Sequence, residues 1–147
     1  MTAMLPDDIA EDRIVVDTDV FSYIFHRNPV AEFFQPYFMQ RTLAVSFMTV
    51  AEVYYGALKG GWGTARISRL ENQLKNYVVL PYDYEVTRQW AFVRTENERK
   101  GNDIQHADAW HAAVALHYEA ALATNNYRHF KDTPGLTVIS PSMQIGA

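Results

Sequence analysis

Ile14-Val15-Val16-Asp17-Thr18-Asp19-Val20 is the stretch whose reading decides the fold. Three consecutive apolar residues form a short strand buried on both faces, the pattern of a parallel sheet. The polar Asp17-Thr18-Asp19 ends the strand, and Thr18 or Asp19 caps a helix that runs to about Arg27. A carboxylate placed against such a run is costly to bury unless it is paired or bound to a cation. Two more acids share that setting: Glu52 within Val50-Ala51-Glu52-Val53, and Asp108 within Ala107-Asp108-Ala109-Trp110 at the head of an alanine-rich helix. Three such carboxylates are best explained if they converge, and unpaired carboxylates converge only around a metal ion.

Outward from that strand, helices and strands alternate. Asn28-Pro29 breaks the first helix, and a second helix is expected over 30–39. Residues 42–46 read as a strand and 49–58 as a helix closed by Gly60-Gly61. A helix over 64–76, a strand over 77–81 and a long helix over 85–100 closed by Gly101 come next. A helix over 106–118 and short strands over 121–124 and 136–139 complete the chain. This order predicts an α/β fold with a mostly parallel sheet. Ligands of such sheets bind beyond the carboxyl ends of the strands, where Asp17, Glu52, Thr124 and Asn126 would be delivered.

Composition sets limits. The 147 residues suffice for one domain, expected over 13–147 after a flexible lead-in over 1–12. The chain has no cysteine, which excludes disulfides, thiolate zinc and a cysteine nucleophile, and fits a reducing cytoplasmic setting. No apolar run approaches the roughly 20 residues of a membrane span. The net charge of −4 argues mildly against bulk attraction to nucleic acid and in favour of local contacts or a basic partner.

Each candidate has a plain alternative. Asp19 fits a helix cap, Glu52 an exposed helical position, and Asp108 a charge favoured at a helix N-terminus. His106, His111 and His117 lie five and six residues apart, whereas zinc pairs on a helix want three or four. His26, His106, His117 and His129 therefore read as ordinary. His111 shares a helix face with Asp108 and reads first as a satisfied core histidine, second as a hydrogen-bond partner of a metal-binding carboxylate. Arg66 and Arg69, with Lys59 nearby, read as a solvated face, with a local phosphate contact as the alternative.

The chain resembles the PIN domains, and within them the VapC-like toxins of toxin–antitoxin pairs. The resemblance rests on Val15-Val16-Asp17-Thr18-Asp19-Val20, Val45-Ser46-Phe47-Met48-Thr49-Val50-Ala51-Glu52-Val53, Asp108-Ala109-Trp110-His111-Ala112-Ala113-Val114-Ala115-Leu116 and Leu122-Ala123-Thr124-Asn125-Asn126. It implies a PIN-like α/β/α sandwich, endoribonuclease activity dependent on Mg²⁺ or Mn²⁺, homodimerisation, and inhibition by a small antitoxin. By position it makes Asp17, Glu52 and Asp108 the metal-binding catalytic acids. Asn126 stands where many relatives place a fourth acid, and Thr18 and Thr124 match hydroxyl positions near the site. His111 replaces a residue that is usually apolar.

Two other functions fit parts of the chain. A haloacid-dehalogenase-type phosphatase would use Asp17 as nucleophile and Asp19 as acid/base, but the late strand ends in Thr124-Asn125-Asn126, without that family's acid pair. A non-catalytic PIN-like domain that binds RNA or a partner protein would leave the three acids without a role.

Overall fold

Alternation along β1 (Arg13–Val16) divides its apolar residues between two cores. Ile14 and Val16 point into one, together with Val20, Phe21, Phe34, Val45 and Leu70; Val15 points into the other, with Ala44, Val86, Val93 and Leu122. A computed structural model describes residues 4–143, and residues 1–3 and 144–147 of the expected lead-in and domain lie outside them. The other strands are β2 (Thr42–Ser46), β3 (Val78–Leu80), β4 (Ala121–Ala123) and β5 (Val138–Ile139). All pair in parallel, in the order β3-β2-β1-β4-β5. Helices cover both faces, so the sheet is the middle layer of the expected α/β/α sandwich.

The helices are α1 (Thr18–Phe25), α2 (Gln35–Phe38), α3 (Phe47–Lys59), α4 (Thr64–Leu74), α5 (Tyr84–Arg99), α6 (His106–His117) and α7 (Tyr127–Phe130). Phe21 of α1 is wholly buried and its ring lies 5.4 Å from that of Tyr77. Truncating such a side chain costs about 3–5 kcal/mol. On the opposite face α6 is buried almost all round, because its alanines allow close approach to the sheet and to α5. Gly61 ends the α3 turn at φ 66° and Gly101 follows α5 at φ 80°, conformations that other residues adopt at a cost.

Four expectations change. The helix expected over 30–39 is a 3₁₀ stretch, Pro29–Phe34, followed by the single turn α2. Pro36 has no N–H to give and restarts the chain direction, while Asn28 caps the 3₁₀ turn through Val30 N–H at 2.9 Å. A short helix, α7, occupies what sequence left as a connection, and β5 spans two residues rather than four. The flexible lead-in is instead packed over residues 4–12. Ile9 is buried, and the Arg41 guanidinium donates to the carbonyls of Pro6, Ile9, Glu11 and Tyr37.

Chain order runs outward from β1 to β2 and β3 on one side, then returns to β4 and β5 on the other. The crevice beyond the carboxyl ends of β1 and β4 is therefore the switch point where open α/β sheets bind ligands.

Candidate active site

Asp17 follows β1 directly and caps α1. Its Oδ1 accepts from Val20 N–H at 2.9 Å, and the buried Thr124 side chain, one residue past β4, acts on the same carboxylate. Asp17 N–H in turn donates to the Ala123 carbonyl at 3.0 Å, which ties the two strand ends together. The side chain is 4% exposed. Burial pushes its carboxyl up from 3.8 to about 6; the Thr124 and Val20 hydrogen bonds pull it down, and Asp19 adds a smaller upward push.

A second knot lies alongside. Thr18 Oγ1 donates to Glu52 Oε1 at 2.6 Å, so its contact with Thr49 Oγ1 at 3.0 Å has Thr49 as donor. His111 Nε2 lies 3.1 Å from the same Glu52 oxygen, and Nδ1 lies 2.8 Å from Ser46 Oγ. A proton on Nε2 satisfies every member: His111 donates to Glu52, Ser46 donates to Nδ1, and Ser46 Oγ accepts from Thr49 N–H at 3.3 Å. Burial alone would raise the Glu52 carboxyl, but the His111 and Thr18 hydrogen bonds hold it below its ordinary value. His111 is thus a buried, satisfied histidine, as the first reading has it, and the carboxylate it bonds is that of Glu52.

Asp108 stands one helical turn before His111 on α6 and is 24% exposed in its side chain. Its Oδ2 lies 3.0 Å from His129 Nδ1, on α7. Asp19 Oδ2 accepts from Asn126 Nδ2 at 2.8 Å at the surface. As placed, each acid has its own partner, and no three acidic or histidine side chains among the described residues form a ready cage for a metal ion. The elements that carry Asp17, Glu52 and Asp108 meet at one end of the sheet; their carboxylates do not form one cluster there. The rise at Asp17 accordingly comes from burial first, not from repulsion among the three.

Sequence reasoning missed Ser46, Thr49 and His129. Ser46, Thr49 and Glu52 recur every three residues, the spacing of one helix face, and that was the available signal. His129 had none, because its role depends on α7.

A model of the PIN domain matches residues 14–136. Ribonuclease VapC2 of Rickettsia felis is 28% identical over 124 residues, which cover 83% of this chain and 92% of the relative. VapC ribonuclease Y4jK of Sinorhizobium fredii is 30% identical over 137 residues, covering 87% of this chain and 96% of the relative. The fold superposes on the crystal structure of VapBC2 from Rickettsia felis, bound to a DNA fragment from its promoter, with a TM-score of 0.78 and 26% identity. That alignment covers 87% of this chain and 98% of the other. With the strand order, the buried acid after β1 and a match along most of its length, the chain belongs to the PIN-domain family.

Proposed function

We propose that the protein is an endoribonuclease dependent on Mg²⁺ or Mn²⁺ and the toxin half of a toxin–antitoxin pair. The observation that carries the reading is the switch-point arrangement in a PIN domain: Asp17 buried at the end of β1, and beside it Glu52 held ionised by Thr18 and His111. The relatives' names and the toxin–antitoxin complex among the solved structures support the same assignment.

The donor set suits a hard divalent cation, since it offers carboxylate and hydroxyl oxygens and no thiolate. Mg²⁺ keeps several waters and is held by one or two carboxylates plus substrate phosphate, so a closed protein cage is not required. Asp17, Glu52 and Asp108 would hold it, with Asn126 as an uncharged fourth group. Such a cation, when bound, acidifies its water and offsets charge on the scissile phosphate. The chain's own part is positioning. Val20 N–H orients Asp17, and Thr18 and His111 keep Glu52 aimed and charged. Asp108, held by the exposed His129, can turn from it toward an incoming ligand.

A single domain over 13–147 with residues 4–12 packed against it, a homodimer and a small basic antitoxin complete the proposal; the net charge of −4 suits the last. The test is cleavage of a mixed RNA pool by purified, antitoxin-free protein in Mn²⁺, with EDTA and Asp108→Asn as controls. Discrete fragments in Mn²⁺ alone, absent in the variant, are expected. No cleavage by folded protein would turn the assignment toward a non-catalytic binding domain.

A further inference from the structure

A groove that starts at the candidate active site ends at a constellation the nuclease reading leaves unused. Its walls run from Thr18 and Glu52 past Val53 and Ala57 to His26 and Trp62, around a cavity of about 200 Å³. At the far end the Arg66 guanidinium sits 3.7 Å from the centroid of the Trp62 ring. Trp62 is itself fixed: Phe25 stacks on it at 5.8 Å with ring planes 13° apart, and its backbone N–H donates to the Ala57 carbonyl at 3.0 Å. Gly60 leaves it room, since a Cβ there would come within 3.1 Å of the indole nitrogen.

His26 supplies the second hold. Its Nδ1 lies 3.0 Å from the Ser22 carbonyl, which can only accept, so the proton is on Nδ1. Nε2 then offers a lone pair to Arg66 Nη2 at 3.2 Å. The guanidinium is therefore oriented by an indole and an imidazole. Arg66 pairs with no carboxylate among the described residues, unlike Arg88, Arg94 and Arg99 on α5. One of its five N–H donors is engaged by His26, and the residue is half-buried. A pre-oriented guanidinium with free donors is a phosphate receptor, and losing little side-chain freedom on binding improves it. In a chain of net charge −4 the overall field does not hold a polyanion, so such local points must.

We propose that Arg66, braced by Trp62 and His26, binds a backbone phosphate of the RNA lying in this groove, away from the bond that is cut. The inference rests on the endoribonuclease reading. Continuity of the groove with Glu52 and Thr18 favours the substrate over a separate acidic peptide as the occupant.

The experiment reads binding apart from cleavage. A fluorescein-labelled pool of random single-stranded RNA 20 nucleotides long is titrated in EDTA across a KCl series, with wild type, Arg66→Gln and Arg66→Lys. Arg66→Gln should bind about tenfold more weakly, with the slope of log K against log salt smaller by about 0.7, one phosphate contact on a single strand. Arg66→Lys should keep the slope and recover part of the affinity. In Mn²⁺, Arg66→Gln should raise KM and leave kcat within about twofold. Unchanged affinity and slope in Arg66→Gln, or no RNA binding by wild type, would overturn the proposal. Weakened binding without any cleavage by wild type would retain the phosphate site and sink the nuclease reading. Cleavage with KM untouched by Arg66→Gln would do the reverse.

Discussion

Beside Glu52 stands a histidine satisfied inside the protein: His111 is 2% exposed and bonded at both ring nitrogens. Around Asp108 the carboxylate leans on a single histidine whose side chain is 53% exposed. The two regions face the same end of the sheet, yet one is assembled by the core and the other by the surface. The contrast has a physical reason. A buried imidazole must be satisfied at both nitrogens or it destabilises the fold, so His111 ties down Ser46 and, through Nε2, the Glu52 carboxylate, whose side chain is itself 37% exposed. An exposed imidazole such as His129 has water as an alternative partner and holds Asp108 more loosely. A site built this way holds one side of a ligand in place and adjusts on the other.

The largest effect should appear where both regions are needed together. Asp17→Asn and Asp108→Asn should each lower Mn²⁺-supported RNA cleavage by about 10²–10³-fold, read in single-turnover assays. A loss confined to one of them would assign the chemistry to that region alone.

Stability should separate the regions next. Because the Asp17 carboxyl is raised from 3.8 to about 6, the folded protein binds that proton more readily than the unfolded chain. The resulting stability is fully present below about pH 4 and is lost as pH rises through about 6, an effect of about 3 kcal/mol from a shift of about two units. Asp17→Asn keeps the cap to Val20. In EDTA it should therefore be more stable than wild type at pH 7.5 and no more stable at pH 4, by urea unfolding. Millimolar Mn²⁺ should raise the wild-type melting temperature and leave the variant's unchanged. Equal stability at both pH values would mean that Asp17 is not buried as described.

Substituting the two histidines then compares the regions directly. His111→Ala leaves Glu52 and Ser46 short of a partner and should cost about 2 kcal/mol, with cleavage down about 10–100-fold. His129→Ala should cost less than about 0.5 kcal/mol. Matching losses would erase the distinction between rigid and adjustable sides. The smallest effect belongs to Asp19, whose one partner is the surface amide of Asn126. Asp19→Asn should change cleavage by no more than about threefold, whereas abolished activity would revive the phosphatase chemistry in which Asp19 is the acid/base.

The layer order was legible because burial on both faces writes itself locally. Ile14-Val15-Val16 and Ala121-Leu122-Ala123 are apolar runs that only a covered parallel sheet needs. The break after Phe34 was not, because Pro36 acts on a helix whose continuation sequence otherwise favours. Within the site, the acids stood out by their apolar neighbours, while their partners did not. Ser46 and Glu52 reach His111 across 65 and 59 residues of chain, and His129 reaches Asp108 only because α7 folds back beside α6.

By itself, then, the amino-acid sequence determined the parallel α/β layering and which acids are out of place in it, since both depend on neighbours along the chain. Tertiary structure alone decided that Asp17, Glu52 and Asp108 each have a separate partner, that His111 serves Glu52, and that Trp62 and His26 brace Arg66. Those outcomes depend on hydrogen bonds and desolvation between segments far apart in sequence, which no local pattern encodes.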